Sequence, residues 1–196
     1  MNIVERARKI LLQPRSEWPV IEQEQTDAQS LYRGYIAILA LIPAIAGLIS
    51  RAFIASFFGV RMGMGAELGF TVVGYVLNLV MVFLVAFIAD TLAPGFGGRK
   101  NLAQALKLTA YAMTASWVAG VLLIVPVLGW LASLLGALYS LYLFYLGVPV
   151  LMKVPAQKAL GYTAVVVVIT IVIAAVIGML NAAMFGMGAG PMGRHY

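Results

Sequence analysis

Asp90, in the stretch FIADTLAPGFGGRKN, is the one acid near the end of an apolar run that belongs neither to the N-terminal segment nor to an outer loop. A carboxylate at a membrane boundary is a functional hypothesis by default, and its chemistry would be proton relay. The competing structural role is pairing with Arg99, Lys100 or Lys107, or contact with interfacial water. Pairing with Arg99 or Lys100 across the Pro/Gly-rich turn is the favoured expectation. Other chemistry is scarce. The chain has no cysteine, so it has no disulfide framework and no thiolate metal site. Its one histidine, His195, stands next to the C-terminus, which excludes a histidine base or ligand inside the membrane. Phosphate-loop, Gly-x-Ser-x-Gly and His-Glu-x-x-His motifs are absent. Gly-Phe-Gly-Gly at 95–98 reads as a turn rather than a phosphate cradle. Asn78 and Asn181 suit hydrogen bonds between helices. Tyr139, Tyr142 and Tyr145 recur every third residue, as packing groups or as the lining of a polar cleft. These residues imply no catalytic centre, no metal and no cofactor.

The elements that hold these residues follow from composition. Of 196 residues, 63% are hydrophobic and 10% charged, whereas a soluble domain is about 45–50% apolar and about 25% charged. A soluble core could not hide that much apolar surface, so lipid must be the solvent. The expected fold is all-α: a polytopic membrane bundle of five transmembrane spans, near 31–52, 68–92, 104–125, 130–149 and 160–186. The apolar run from 108 to 152 would make one helix roughly twice the ~30 Å hydrocarbon thickness. Pro126 and Gly129 therefore divide it, with Trp130 at the interface. Pro43 should kink the first span. Residues 53–67 either extend it or lie along the interface. Small residues at helical spacing mark close packing: Ser116 and Gly120 in span three; Ala132, Gly136 and Ser140 in span four; Ala174, Gly178, Ala182 and Gly186 in span five.

Three regions result: an N-terminal segment (1–30), the membrane domain (31–186) and a Gly-rich tail (187–196). In NIVERARKIL, Ile3, Val4, Ala7, Ile10 and Leu11 share one face with Glu5, Arg6 and Lys9 mostly off it, an amphipathic helix. It could lie in the bilayer interface with Trp18 as an aromatic anchor, or pack on the protein's own face. Pro14 and Pro19 make PRSEWPVIEQEQ a linker. Thr26 with Gln29, and Asn101 with Gln104, offer capping boxes.

The cations set the orientation. Arg6, Arg8, Lys9, Arg15, Arg33, Arg99, Lys100, Lys107, Lys153 and Lys158 fall on one side of a five-span topology, against Arg51, Arg61 and Arg194 on the other. The N-terminus is expected inside and the C-terminus outside. The net charge of +6 is scattered at span ends, which argues against a nucleic-acid partner.

The segments ADTLAPGFGGRKN (89–101), AYAMTASWVAGVLLIVPVLG (110–129), YSLYLFYLGVPVLMKVPAQKALGYT (139–163) and ILLQPRSEWPVIEQE (10–24) resemble the bacterial branch of the Yip-one family of Ypt/Rab-interacting membrane proteins. The resemblance implies five spans with a cytoplasmic N-terminus, in a bacterial inner membrane. Eukaryotic members bind Rab-type GTPases and carry Asp-Leu-Tyr-Gly-Pro before the first span. DAQSLYRGY (27–35) offers only Leu31-Tyr32 and Gly34, so that partner is not carried over. The expected function is a non-enzymatic scaffold or adaptor for other proteins, lipids or copies of itself. The alternatives are a small oligomeric transporter or channel, and a lipid enzyme, for which only Asp90 is available.

Overall fold

The computed structural model of the chain describes residues 2–58 and 64–186, with residues 55–58, 64, 66, 126–127, 177–178 and 180–186 described by backbone alone. Among the described residues there are helices and turns and no strands. Five helical segments are long and apolar enough to cross a membrane: Ala28–Ile54, Glu67–Phe96, Leu102–Ile124, Leu128–Leu151 and Ala156–Val176. In lipid, a helix is how such a run satisfies its own backbone, which is why even the Val- and Ile-rich fifth span is helical.

The N-terminal segment departs from expectation. Helix α1 (Ile3–Leu12) is followed directly by a second helix, α2 (Pro14–Gln23), where a linker was expected. Pro14 occupies the first turn, where its missing N–H costs nothing. Pro19 lies within the helix, but only five residues from its start. The first span then opens at α3 (Ala28–Leu31), capped by Asp27 rather than Thr26: the Ser30 N–H donates to Asp27 Oδ2 at 3.1 Å. A π turn (Tyr32–Ile36) leads into α4 (Ala37–Phe58), with Pro43 inside it.

Span two is α5 (Met64–Leu92), which ends in a 3-10 turn, Ala93–Phe96. Gly97 closes that turn at φ +83°, a left-handed conformation suited to glycine. Gly98 comes so close to the loop after span four that a Cβ there would sit 2.6 Å from the Met152 carbonyl oxygen. The Arg99 N–H donates to that same oxygen at 2.9 Å. Asn101 caps α6 (Leu102–Ala112), accepting from the Gln104 N–H at 3.1 Å.

Span three continues through α7 (Thr114–Ala119) into a 3-10 segment, Gly120–Ile124. The chain turns back at extended Val125, and Pro126 starts α8 (Pro126–Leu151). Gly129 is therefore not part of the break. It lies inside α8, where a Cβ would meet Leu123 Cα at 2.7 Å, so it lets α8 fold back tightly on span three. The last span is α9 (Ala156–Gly186).

Burial is concentrated at the end where α1–α2, the turn after span two and the loop after span four gather. Ile10, Trp18, Ile21, Leu108, Leu143, Val148, Met152, Val154 and Tyr162 are all inaccessible there or nearly so. The Lys/Arg-rich segments meet at this end, called below the basic end. The outward surfaces of α4, α5, α8 and α9 remain apolar and exposed, as spans facing lipid should.

Candidate functional site

Helices α1 and α2 form a hairpin whose inner side is bound to spans three and four. Its apolar contribution is Ile10, Trp18 and Ile21. Trp18 is completely buried instead of anchoring in the interface. Its slot exists because position 147 is glycine: a Cβ there would lie 2.5 Å from Leu108 Cδ1 and 2.8 Å from the Trp18 ring.

The polar contribution is a charged cluster. Arg6, placed off the apolar face by helical spacing, is only 3% exposed. Its two terminal nitrogens bind Glu17 and Glu24, so one guanidinium ties α1 to α2 and to the chain beyond it. The fork geometry of arginine is what allows two carboxylates to share it. The Arg6 guanidinium carbon also stands 5.6 Å from the centre of the Tyr111 ring. Tyr111 meets Tyr35 edge-on at 4.7 Å, and the Tyr35 hydroxyl bonds to Thr114 Oγ1 at 2.7 Å. Lys107 is buried as well; its ammonium donates to the carbonyls of Ile21, at 3.1 Å, and Glu24. Gln104 Nε2 donates to the Glu22 carbonyl at 3.0 Å, and Lys153 pairs with the Glu22 carboxylate. The Tyr139 hydroxyl donates to the Leu11 carbonyl at 2.6 Å. A recess of about 400 Å³ beside Arg6 is lined also by Glu24, Ser30, Tyr35 and Tyr111.

This cluster can hold an element in place, and its acids are occupied in doing so. Glu17 and Glu24 both face Arg6 and brace the hairpin internally, whereas Glu22 faces Lys153 and joins it to the loop after span four. Among the described residues no three His, Cys, Asp or Glu side chains gather as metal ligands.

The structure does not bring Asp90 together with Arg99 or Lys100. Asp90 Oδ1 is buried and has no hydrogen-bond partner, whereas Arg99 and Lys100 are exposed and appear in no ion pair with it. The turn at Gly97–Gly98 instead docks the Arg99 backbone on Met152. Beside Asp90, the Tyr162 hydroxyl donates to the Ala89 carbonyl at 2.5 Å, joining spans two and five.

Of the small residues expected at helix contacts, Gly120 lies against Pro43, with Pro43 Cβ 2.7 Å from where a Cβ would stand. Gly136 lies against Ala119 at 2.6 Å and the Ala115 carbonyl at 3.2 Å by the same measure. Next to it, the Ser116 and Ser140 hydroxyls bond at 2.8 Å. Asn78 accepts from Trp117 Nε1 at 3.3 Å, a contact between spans two and three. Gly178, Asn181, Ala182 and Gly186 lie outside the residues whose surroundings are described, as does His195. At the end away from the basic one, Arg51 pairs with Glu67 at 3.2 Å and donates to Thr71 at 2.7 Å, beside a recess of about 190 Å³.

Sequence reasoning missed Glu17, Glu24 and Gly147, took Arg6 as a topology signal lying off an amphipathic face, and took Lys107 as a topology signal and a possible partner of Asp90. One clue was available for Lys107. It is a lone cation inside LAQALKLTAYA, a helix with almost no polar surroundings, and such a cation needs a partner.

Set beside known proteins, residues 8–177 match the Yip1 domain. The inner membrane protein YohC of Escherichia coli K12 is 24% identical over 182 residues, covering 89% of this chain and 93% of the relative. YohC of Escherichia coli O6:H1 matches with the same figures. No solved structure matches significantly.

Proposed function

Because the chain belongs to the Yip1 domain family, and is an integral inner membrane protein like its relatives, we propose that it is a non-enzymatic scaffold or adaptor, with the basic end in the cytoplasm as its working face. The observation that supports this most directly is the docked α1–α2 hairpin. Buried charges are expensive unless paired, and here Arg6 and Glu17 are committed to fixing the shape of the N-terminal segment and Lys107 to holding that segment on the bundle. Such an investment makes sense for a surface that must keep one shape. The same end also joins the loops after spans two and four through Arg99 and Met152. With the cations of these segments placed inside, the orientation follows the positive-inside rule.

The test is site-specific photocrosslinking in native membranes. A photoreactive residue at Lys100 or Lys158, both exposed at the basic end, should give discrete protein adducts. The same residue at lipid-facing Val168 should give none. Purified protein in liposomes should move no ion or solute. Flux in liposomes without adducts at the basic end would overturn the scaffold reading in favour of transport.

A further inference from the structure

The outward side of the α1–α2 hairpin has a composition of its own. Val4 is 69% exposed, Leu12 67% and Val20 48%. Interleaved with them, Arg8 and Arg15 are exposed and in no ion pair among the described residues, while Lys9 pairs with Glu5 at 2.8 Å. Glu5, Arg8, Lys9, Leu12 and Gln13 line a concavity of about 290 Å³. Bare aliphatic side chains beside unpaired cations suit a surface whose partner is apolar and anionic at once.

The depth of the hairpin says where that partner lies. Glu22 is bound to Lys153 just beyond the end of α8, but Leu11 is bound to Tyr139. At 1.5 Å per residue, Tyr139 is about 18 Å along α8 from Leu151. The hairpin therefore lies along the side of spans three and four over that distance instead of standing off the end of the bundle. On α8 the neighbours of Tyr139 are exposed Leu138, Leu141 and Tyr142, which belong to the lipid-facing surface of the span. Leu12, next to Leu11, is exposed as well. Beside a lipid-facing surface, long arginine side chains reach toward the nearest phosphates.

We propose that the outward face of α1–α2, formed by Val4, Arg8, Leu12, Arg15 and Val20, binds anionic phospholipids, with Arg8 and Arg15 drawing their phosphates inward while the acyl chains run on over Leu138 and Tyr142. This names a lipid partner class for the scaffold. It rests on the docked hairpin and not on any protein partner, so failed crosslinking at Lys100 would leave it standing.

The chain has no native cysteine, so a single spin label can be placed at will. In nanodiscs of phosphatidylcholine with phosphatidylglycerol, a label on Leu12→Cys should collide with oxygen more than with a water-soluble nickel chelate, as should one on Val168→Cys. A label on Lys100→Cys should show the reverse. A Leu12→Cys label that behaves like Lys100→Cys overturns the proposal, as does strong dipolar coupling between labels on two copies, which would make the face a protein contact. In detergent, phosphatidylglycerol should raise the melting temperature more than phosphatidylcholine does. Its apparent affinity should fall about fivefold for each cation removed in R8Q/R15Q, with the melting temperature in phosphatidylcholine unchanged. R99Q/K100Q should keep the full affinity. Equal affinity of R8Q/R15Q and the parent, or equal loss in R99Q/K100Q, overturns the proposal.

Discussion

At the basic end Arg6 is buried between Glu17 and Glu24, with Lys107 buried beside it on backbone carbonyls. Midway along the bundle, spans three and four meet where Gly136 has no side chain to place against Ala119, and where Ser116 and Ser140 share a hydrogen bond. The two regions solve different problems. A span is already stable as a helix in lipid and needs only close approach, so small residues suffice. The N-terminal hairpin is charged and too short to span the bilayer, so close approach in lipid cannot hold it. Its attachment therefore uses polar groups that lose their partners if it lets go: Lys107 on the Ile21 and Glu24 carbonyls, and Lys153 on Glu22. The first contact is held by polar groups, with the Arg6–Glu17–Glu24 cluster keeping the hairpin in shape to make it, and the second by close fit.

Breaking the first region should have the largest effect. Arg6→Leu strands Glu17 in a buried site, and removal of one partner of a buried pair costs about 3–5 kcal/mol. The melting temperature in detergent should fall sharply, and protease should cut between residues 2 and 27. Unchanged melting would mean that the charged cluster is not the anchor. The second region should respond less. Gly136→Ala forces a methyl into Ala119 and should cost about 1–3 kcal/mol, whereas Gly74→Ala, with open space around it, should melt like the parent. Similar melting of both glycine variants would remove the close-approach half of the comparison. Ser140→Ala takes away the partner of the Ser116 hydroxyl and should cost about 0.6–1.7 kcal/mol, the range for hydrogen bonds between spans.

Asp27 lies between the two regions, as the cap of the first span. Its bonds to Ser30 hold its carboxyl below the ordinary carboxylate value. The folded form therefore has the lower pKa, so the stabilisation is present above the unfolded value and is lost as pH falls through the folded one. Asp27→Ala should lower the melting temperature slightly at pH 7, and the difference from the parent should vanish in acid below the ordinary aspartate range. Asp90 belongs to neither region and should show the smallest effect. With no ion pair to lose and a bare buried oxygen, Asp90→Asn should melt at or slightly above the parent temperature, and exchanging the charges of Asp90 and Arg99 should rescue nothing. A clear loss of stability in Asp90→Asn would show that the carboxylate has a partner after all.

The membrane body was legible in the sequence because length, apolar content and Pro126 leave little choice in lipid. Asn101 was legible for the same kind of reason: a cap depends only on its next few residues. The N-terminal hairpin was not. Prolines at 14 and 19 argue locally against helix, yet one sits in the first turn and the other close behind it, where few backbone bonds are at stake. Arg6 and Trp18 look like surface groups within their own segment. Their burial is set by Gly147, Leu108 and Tyr111, more than 80 residues away, and local spacing carries no trace of them. The expected pairing of Asp90 with Arg99 failed because proximity across a turn does not fix direction. The Gly97–Gly98 turn docks on Met152 instead.

The long reach of those hairpin contacts bears on how the protein is made. Leu11 waits for Tyr139, 128 residues later, and Glu22 waits for Lys153, 131 residues later. A segment made before the first span thus finds its place only after the fourth. Until span four has been inserted, Leu11, Trp18 and Glu22 lack their partners, and the N-terminal segment must remain in water or at the lipid surface. Closure of the hairpin then reports that spans three and four are present and correctly arranged, before span five is needed.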